Sequence, residues 1–221
     1  IEAKSGIPID LEDVYEWIAF VPNRTTGVGA LTKYFAHGTK GWKIRGIELR
    51  QHSTCQWISD LQKNILEELR TGPPKEATKR SMKLFHQEIT KLKKGKIPLS
   101  ELILGRRVRK KAGEHKVLNL TAAALLRELD LGQNTYPGRR IRFAVVGQGR
   151  RNPPDRIRMS SEIKSGKQSI VGQRGDISYY EALALRAASA LLSPFGLSEE
   201  ELASGGSVQT TLDMWSGTVK S

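Results

Sequence analysis

The spacing of apolar residues changes near residue 54, and that change limits what the chain can fold into. Before it, the run Ile7–Val21 (IPIDLEDVYEWIAFV) partly alternates and gathers β-branched and aromatic residues toward its end, which predicts a strand or a strand pair. The stretch PNRTTGVGA reads as a loop. Leu31–Leu49 then predicts a hairpin closed by Gly38-Thr39-Lys40-Gly41. These pieces make a small antiparallel sheet.

After residue 54 the period becomes helical. Ile58, Leu61, Ile65, Leu66 and Leu69 fall three and four apart, so Cys55–Leu69 predicts an amphipathic helix stopped by Gly72-Pro73-Pro74. A second helix is expected over Glu76–Lys94, with Met82, Phe85, Ile89 and Leu92 on its apolar stripe. Pro98 and Ser100 break the pattern before a third element through Leu102, Ile103, Leu104 and Val108. Leu118–Leu129 predicts a buried helix, Arg140–Val146 a strand whose outward face is arginine, and Tyr179–Leu192 a last long helix. From about Ala203 the chain is Gly- and Ser-rich and reads as extended. The order is α+β: a small antiparallel sheet, then a mostly helical region with a small β element. The expected domains are 1–53, 54–202 and a tail at 203–221. No internal repeat is visible.

Charge is distributed unevenly. Thirty-six Lys and Arg stand against 23 Asp and Glu, a formal net charge of +13. Residues 1–72 are balanced, whereas 73–116 carry fourteen basic and four acidic groups and 139–174 carry ten and two. Two such blocks, each interleaved with Leu, Ile and Val, point to a phosphate-facing surface on a folded region. A solvated Lys-rich helix face is the bland alternative. No apolar run reaches the roughly 18 to 20 residues of a membrane span, and no signal peptide opens the chain, so no membrane partner is expected. Cys55 is the one cysteine, which excludes an internal disulfide, a thiolate zinc cluster and a Cys-x-x-Cys pair. An intracellular, cytoplasmic location follows as an expectation. Because the first residue is Ile1, a processed or partial chain is expected.

Catalytic signatures are weak. His37, His52, His86 and His115 form no i, i+4 pair and no cluster with carboxylates, so neither catalytic nor metal-binding residues are assigned. The tail is more informative: in Gln209-Thr210-Thr211-Leu212-Asp213-Met214-Trp215, one helical turn would set Leu212 and Trp215 as apolar anchors with Gln209 at the pocket edge. This run resembles the peptide by which replication proteins bind the sliding clamp (PCNA).

Further runs resemble the family B DNA polymerases of archaea, in family order. TKYFAHGTKGWKIRGIELRQHST, with Lys33-Tyr34 and Arg45-Gly46-Ile47-Glu48, is similar to the segment that follows the metal-binding carboxylates, and IPIDLEDVYEWIAFVP to the palm strands before it. IPLSELILGRRVRKKAGEHKV, YPGRRIRFAVV, PPDRI and DISYYEALALRAASALLSPFGL are similar to successive thumb pieces. The resemblance implies the end of a palm, a whole thumb and a clamp-binding tail. It implies that Lys33, Tyr34 and Arg45 contact the template–primer backbone and that Arg106, Arg107, Arg109, Lys110 and Lys111 grip product duplex. On a helix, 106 with 110 and 107 with 111 would share a face. Arg139, Arg140, Arg142, Arg150 and Arg151 form a second candidate surface.

Two positions depart from the family pattern: Arg50-Gln51-His52-Ser53 replaces the usual run after Glu48, and Arg109 replaces a small hydroxyl residue. The family's Asp-Thr-Asp pair, which holds two Mg²⁺ ions, does not occur in these residues. The resemblance therefore implies the small subunit of a split polymerase, inactive alone, with Mg²⁺ held through a larger catalytic chain that also carries the exonuclease. The alternatives are a degenerate remnant that binds DNA and clamp as an accessory, and part of one longer polymerase.

Overall fold

The structure, a computed structural model, describes residues 6, 12–23, 26–147, 153–165 and 172–204. The chain divides into two compact units, Ile1–Ile47 and Glu48–Ser221.

The first unit is a three-stranded antiparallel sheet in the order β1 (Tyr15–Pro22), β2 (Gly29–Gly38), β3 (Gly41–Arg45). The hairpin between β2 and β3 closes where expected, with Gly38 opposite Gly41. Gly41 has φ +97°, a conformation that glycine adopts without a Cβ clash. Trp17, Phe35 and Trp42 pack edge-on and tilted on one face, with ring centroids 5.4 to 6.4 Å apart. The expected strand over Ile7–Val21 is shorter: residues 12–14 are irregular, 7–11 lie outside the described residues, and pairing runs from Tyr15.

The second unit joins a helical layer to another three-stranded antiparallel sheet. Helices α1 (Gln56–Arg70) and α2 (Pro74–Lys93) pack together, joined by a hydrogen bond of 3.0 Å from Trp57 Nε1 to Glu88. Pro74 opens α2 at the first helical turn, where its missing N–H has no intrahelical partner to lose. Thr78 and Ser81 are buried on α2 and Met82 only half-buried, so the stripe lies slightly off the expected one; Thr78 Oγ1 donates to the Pro74 carbonyl at 2.8 Å, which removes the penalty of burying it.

The sheet has the order β4 (Leu104–Arg107), β5 (Arg140–Val145), β6 (Ile157–Met159). Helix α3 (Leu120–Asp130) packs on β6. Its cap is Asn119, whose Oδ1 accepts from the amides of Thr121 and Ala122 at 3.0 Å. Leu118 and Leu129, expected to be buried, are 46% and 48% exposed, because the buried face runs instead through Ala122, Ala123, Ala124 and Leu125. β6, the short α4 (Ser160–Lys164) and α6 (Glu199–Ser204) had no clear apolar period, and α6 shows the chain helical through Ser204 where extended tail was expected from Ala203.

Helix α5 (Ile177–Leu192) packs on α1 and α2. Asp176 caps it by accepting from the Tyr179 amide at 3.0 Å, and Gly196, left-handed at φ 83°, follows its last turn. At the centre lies Tyr180, fully buried, whose hydroxyl accepts from the Val145 amide at 2.9 Å and donates to the Leu102 carbonyl at 2.7 Å. One side chain thus ties α5 to β5 and to the segment entering β4.

Candidate nucleic-acid interface

The basic cluster does not lie on a helix. Leu104–Arg107 is strand β4 and the chain from Val108 to Lys111 is irregular, so the helical pairing of 106 with 110 and 107 with 111 is replaced by strand alternation. The reason is non-local: β5 supplies a ladder in which Leu104, Gly105, Arg106 and Arg107 face Phe143, Arg142, Ile141 and Arg140. Leu104 and Arg106 therefore share a face with the core residues Phe143 and Ile141. Gly105 and Arg107 share the other with Arg142 and Arg140.

That second face carries three exposed arginines, Arg107, Arg140 and Arg142. Arg107 stands directly opposite Arg140, an arrangement of like charges that opposes folding unless an anion lies against it. Among the described residues none of the three forms an ion pair, and neither do Arg109, Lys110 or Lys111. A fourth arginine in this register, Arg158, is buried and donates to the Asp155 and Ile157 carbonyls at 3.0 and 2.7 Å.

Glycine at 105 is required by a close approach. Its amide donates to the Ser53 carbonyl at 3.3 Å, and a Cβ here would lie 2.7 Å from the His52 oxygen. The departing pair His52-Ser53 thus packs against β4 beside the arginines. A cleft of about 350 Å³ follows, lined by Arg106, Arg107, Arg109, His115, Asn119 and Thr121, among others. With cations on its walls and hydroxyl and amide groups at its edge, it can hold phosphate oxygens without reading bases.

Arg106 lines this cleft and also stands near α5. Burial pushes the phenol of Tyr179 on α5 up, and the charge and hydrogen-bonding capacity of the nearby Arg106 guanidinium work against that rise.

In the first unit, the strand pleat places Lys33 and Tyr34 on opposite faces of β2. Tyr34 is cross-strand partner to Arg45, and its ring lies 5.7 Å from that of Phe20. Tyr34 and Arg45 are therefore brought together, and exposed Lys33 stands apart with the Phe35 face. Gly46 explains the Arg-Gly-Ile-Glu pattern: it has φ +69°, and a Cβ would run into the Thr32 carbonyl and come within 2.8 Å of Lys33 Cγ.

Gln209, Leu212 and Trp215 of the clamp-like motif, and Arg150 and Arg151, lie outside the described residues. Among the described residues no three His, Cys, Asp or Glu side chains converge as a metal site requires, and no helix is long and apolar enough to cross a membrane. The described residues thus offer no such cluster for a two-magnesium centre, and no phosphoryl-transfer step is assigned to them. Cys55 is buried, which pushes its thiol up to about 11 and keeps it protonated.

No protein-family model matches the sequence, and no curated protein matches it. Among solved structures, the family B DNA polymerase from the hyperthermophilic archaeon Pyrobaculum calidifontis is similar, at 23% identity and a TM-score of 0.64. The likeness covers 89% of this chain. The chain has the fold of part of that polymerase. It spans 24% of the polymerase chain, so the likeness extends to one portion of a larger molecule. The α+β architecture expected from the sequence is the one observed.

Proposed function

We propose that the protein is the small subunit of a family B DNA-directed DNA polymerase, completing the palm and gripping template–primer duplex during replication. What carries this reading is the exposed face of Arg107, Arg140 and Arg142, which form no ion pair among the described residues, on a chain whose fold follows a family B polymerase over 89% of its length. Residues 1–53 serve as the end of the palm, 54–202 as the thumb and 203–221 as the clamp-binding tail. Duplex phosphates lie along the cleft of Arg106, Arg107 and Arg109 and across Lys110, Lys111, Arg140 and Arg142; Lys33, Tyr34 and Arg45 meet the backbone near the primer end. Gln209, Leu212 and Trp215 tether the assembly to the sliding clamp. A larger partner chain holds the exonuclease and the aspartates for Mg²⁺, and the assembled enzyme works in the cytoplasm at the nucleoid.

The test is native purification with identification of the chains that travel together, followed by primer extension with and without this subunit. Stimulated extension by a partner bearing the metal-binding aspartates is expected. If addition of the chain leaves synthesis unchanged while it still binds duplex and clamp, the accessory-remnant reading, which the departures at Ser53 and Arg109 favour, replaces this one.

A further inference from the structure

Beyond the duplex-gripping face, we infer that a second cleft in the larger unit takes an unpaired nucleobase of the bound DNA strand; the inference rests on the nucleic-acid reading above. This cleft, about 400 Å³, is lined by Lys111, Leu125, Leu129, Asn134, Thr135 and Tyr136, among others. Tyr136 is 58% exposed although its ring is large and apolar. The ring sits in a turn whose backbone is pinned to the end of β4: Val108 donates to the Arg139 carbonyl at 2.8 Å, and Gly138 donates to the Val108 carbonyl at 2.9 Å. The Arg139 guanidinium carbon stands 5.4 Å from the ring centroid, and its Nη1 lies 3.5 Å from the phenol oxygen. A cation over one face leaves the remainder of the ring toward the cleft.

These parts match one chemistry. A nucleobase is flat, has a π-face for the tyrosine, and carries donors and acceptors at its edge for the Asn134 amide and the Thr135 hydroxyl. Leu125 and Leu129 give the apolar floor on which such a ring loses water. Lys111 lines the cleft and Arg139 stands over the Tyr136 ring, neither with an ion pair among the described residues, so the two cations complement the phosphates on either side of a base. An apolar peptide would fill the floor and leave both cations unmatched. Paired bases present their faces only to their stacked neighbours, so the occupant is unpaired. Because Lys111 ends the 106–111 cluster, a strand leaving the duplex grip reaches the cleft directly.

The experiment uses the full chain with a hairpin duplex bearing a short single-stranded overhang that contains 2-aminopurine, compared with the same hairpin blunt. The overhang is expected to bind more tightly and its fluorescence to be quenched. Y136A should remove the quench and about tenfold of the overhang preference while leaving blunt-duplex affinity unchanged, and Y136F should retain both. Equal affinity for blunt and overhanging hairpins overturns this inference and leaves the duplex reading standing. Quenching of free 2-aminopurine nucleotide at the same concentration would mean a free-nucleotide site and overturns the strand occupant. Binding to neither hairpin overturns the polymerase reading along with it.

Discussion

Arg127 on α3 and Glu162 on α4 meet through two hydrogen bonds, Nη2 to Oε1 at 2.6 Å and Nε to Oε2 at 3.3 Å. Glu162 is buried, and its Oε2 also accepts from the Met159 amide at 2.8 Å. Burial alone would raise this carboxyl, but the hydrogen bonds from Arg127 and Met159 and the charges of Arg127 and Arg158 outweigh it and hold Glu162 below the ordinary carboxylate range. The pair ties α3 to the β6–α4 corner and so helps to hold the arginine sheet.

A pH dependence follows with a definite sign. With the folded value depressed, the pair contributes full stability above the unfolded glutamate value, near 4.5, and that contribution disappears as pH falls through the lower folded value. Urea unfolding followed from neutral pH into the acid range should show this decline in the wild type. In E162Q it should be shallower, and that variant should be less stable at neutral pH by about 3 kcal/mol, since Arg127 loses its counter-charge in a partly buried site. An unchanged acid profile would remove Glu162 from the account.

A second buried device is more sharply testable. Y180F keeps the ring but leaves the Val145 amide and the Leu102 carbonyl without the hydroxyl that joins them. Two buried polar groups lose a partner for the loss of one oxygen, so a destabilisation of about 3 kcal/mol is expected from denaturant midpoints, with little change in secondary structure by circular dichroism. The effect should be independent of DNA.

Helices α1 and α5 were legible in the sequence because their stability is written locally, in apolar residues three and four apart. Strand β4 was not: four residues, Leu104 to Arg107, are too few to show a period, and β5, which pairs with them, lies beyond the whole of α3. The split of Lys33 from Tyr34, by contrast, was already contained in the hairpin expected over Leu31–Leu49, since adjacent strand residues take opposite faces. The arginines of β5 were legible as an outward face because Arg140 and Arg142 alternate with Ile141 and Phe143. Their neighbour Arg107 became part of that face only through the register.

Gly105 and Gly46 were marked by no local turn signal of their own, yet each is held by a close contact. G105A is expected to lose about 2 kcal/mol as the His52 carbonyl is pushed away, and G46A at least as much, because its positive φ adds backbone strain. Gly113 provides the control: no atom lies within 4 Å of its Cβ position and its φ is ordinary, so G113A should stay within about 0.5 kcal/mol. Thermal unfolding of the three variants measures the contrast.

The arginine face makes the prediction that separates a binding surface from a structural one. Since Arg107 and Arg140 are opposed like charges, R140Q should stabilise the free protein by about 0.5 kcal/mol while weakening duplex binding. The loss should be equal across sequences and should reduce the dependence of log affinity on log salt by about 0.9 for each phosphate contact removed. R106Q should behave in the opposite way: it breaks the contact with Tyr179 and lowers stability by about 1 kcal/mol, with a smaller effect on the salt slope. Denaturant midpoints and fluorescence anisotropy over a salt series read both quantities on the same samples. If R140Q destabilised the free protein and left the salt slope unchanged, the face would be structural and the phosphates would lie elsewhere.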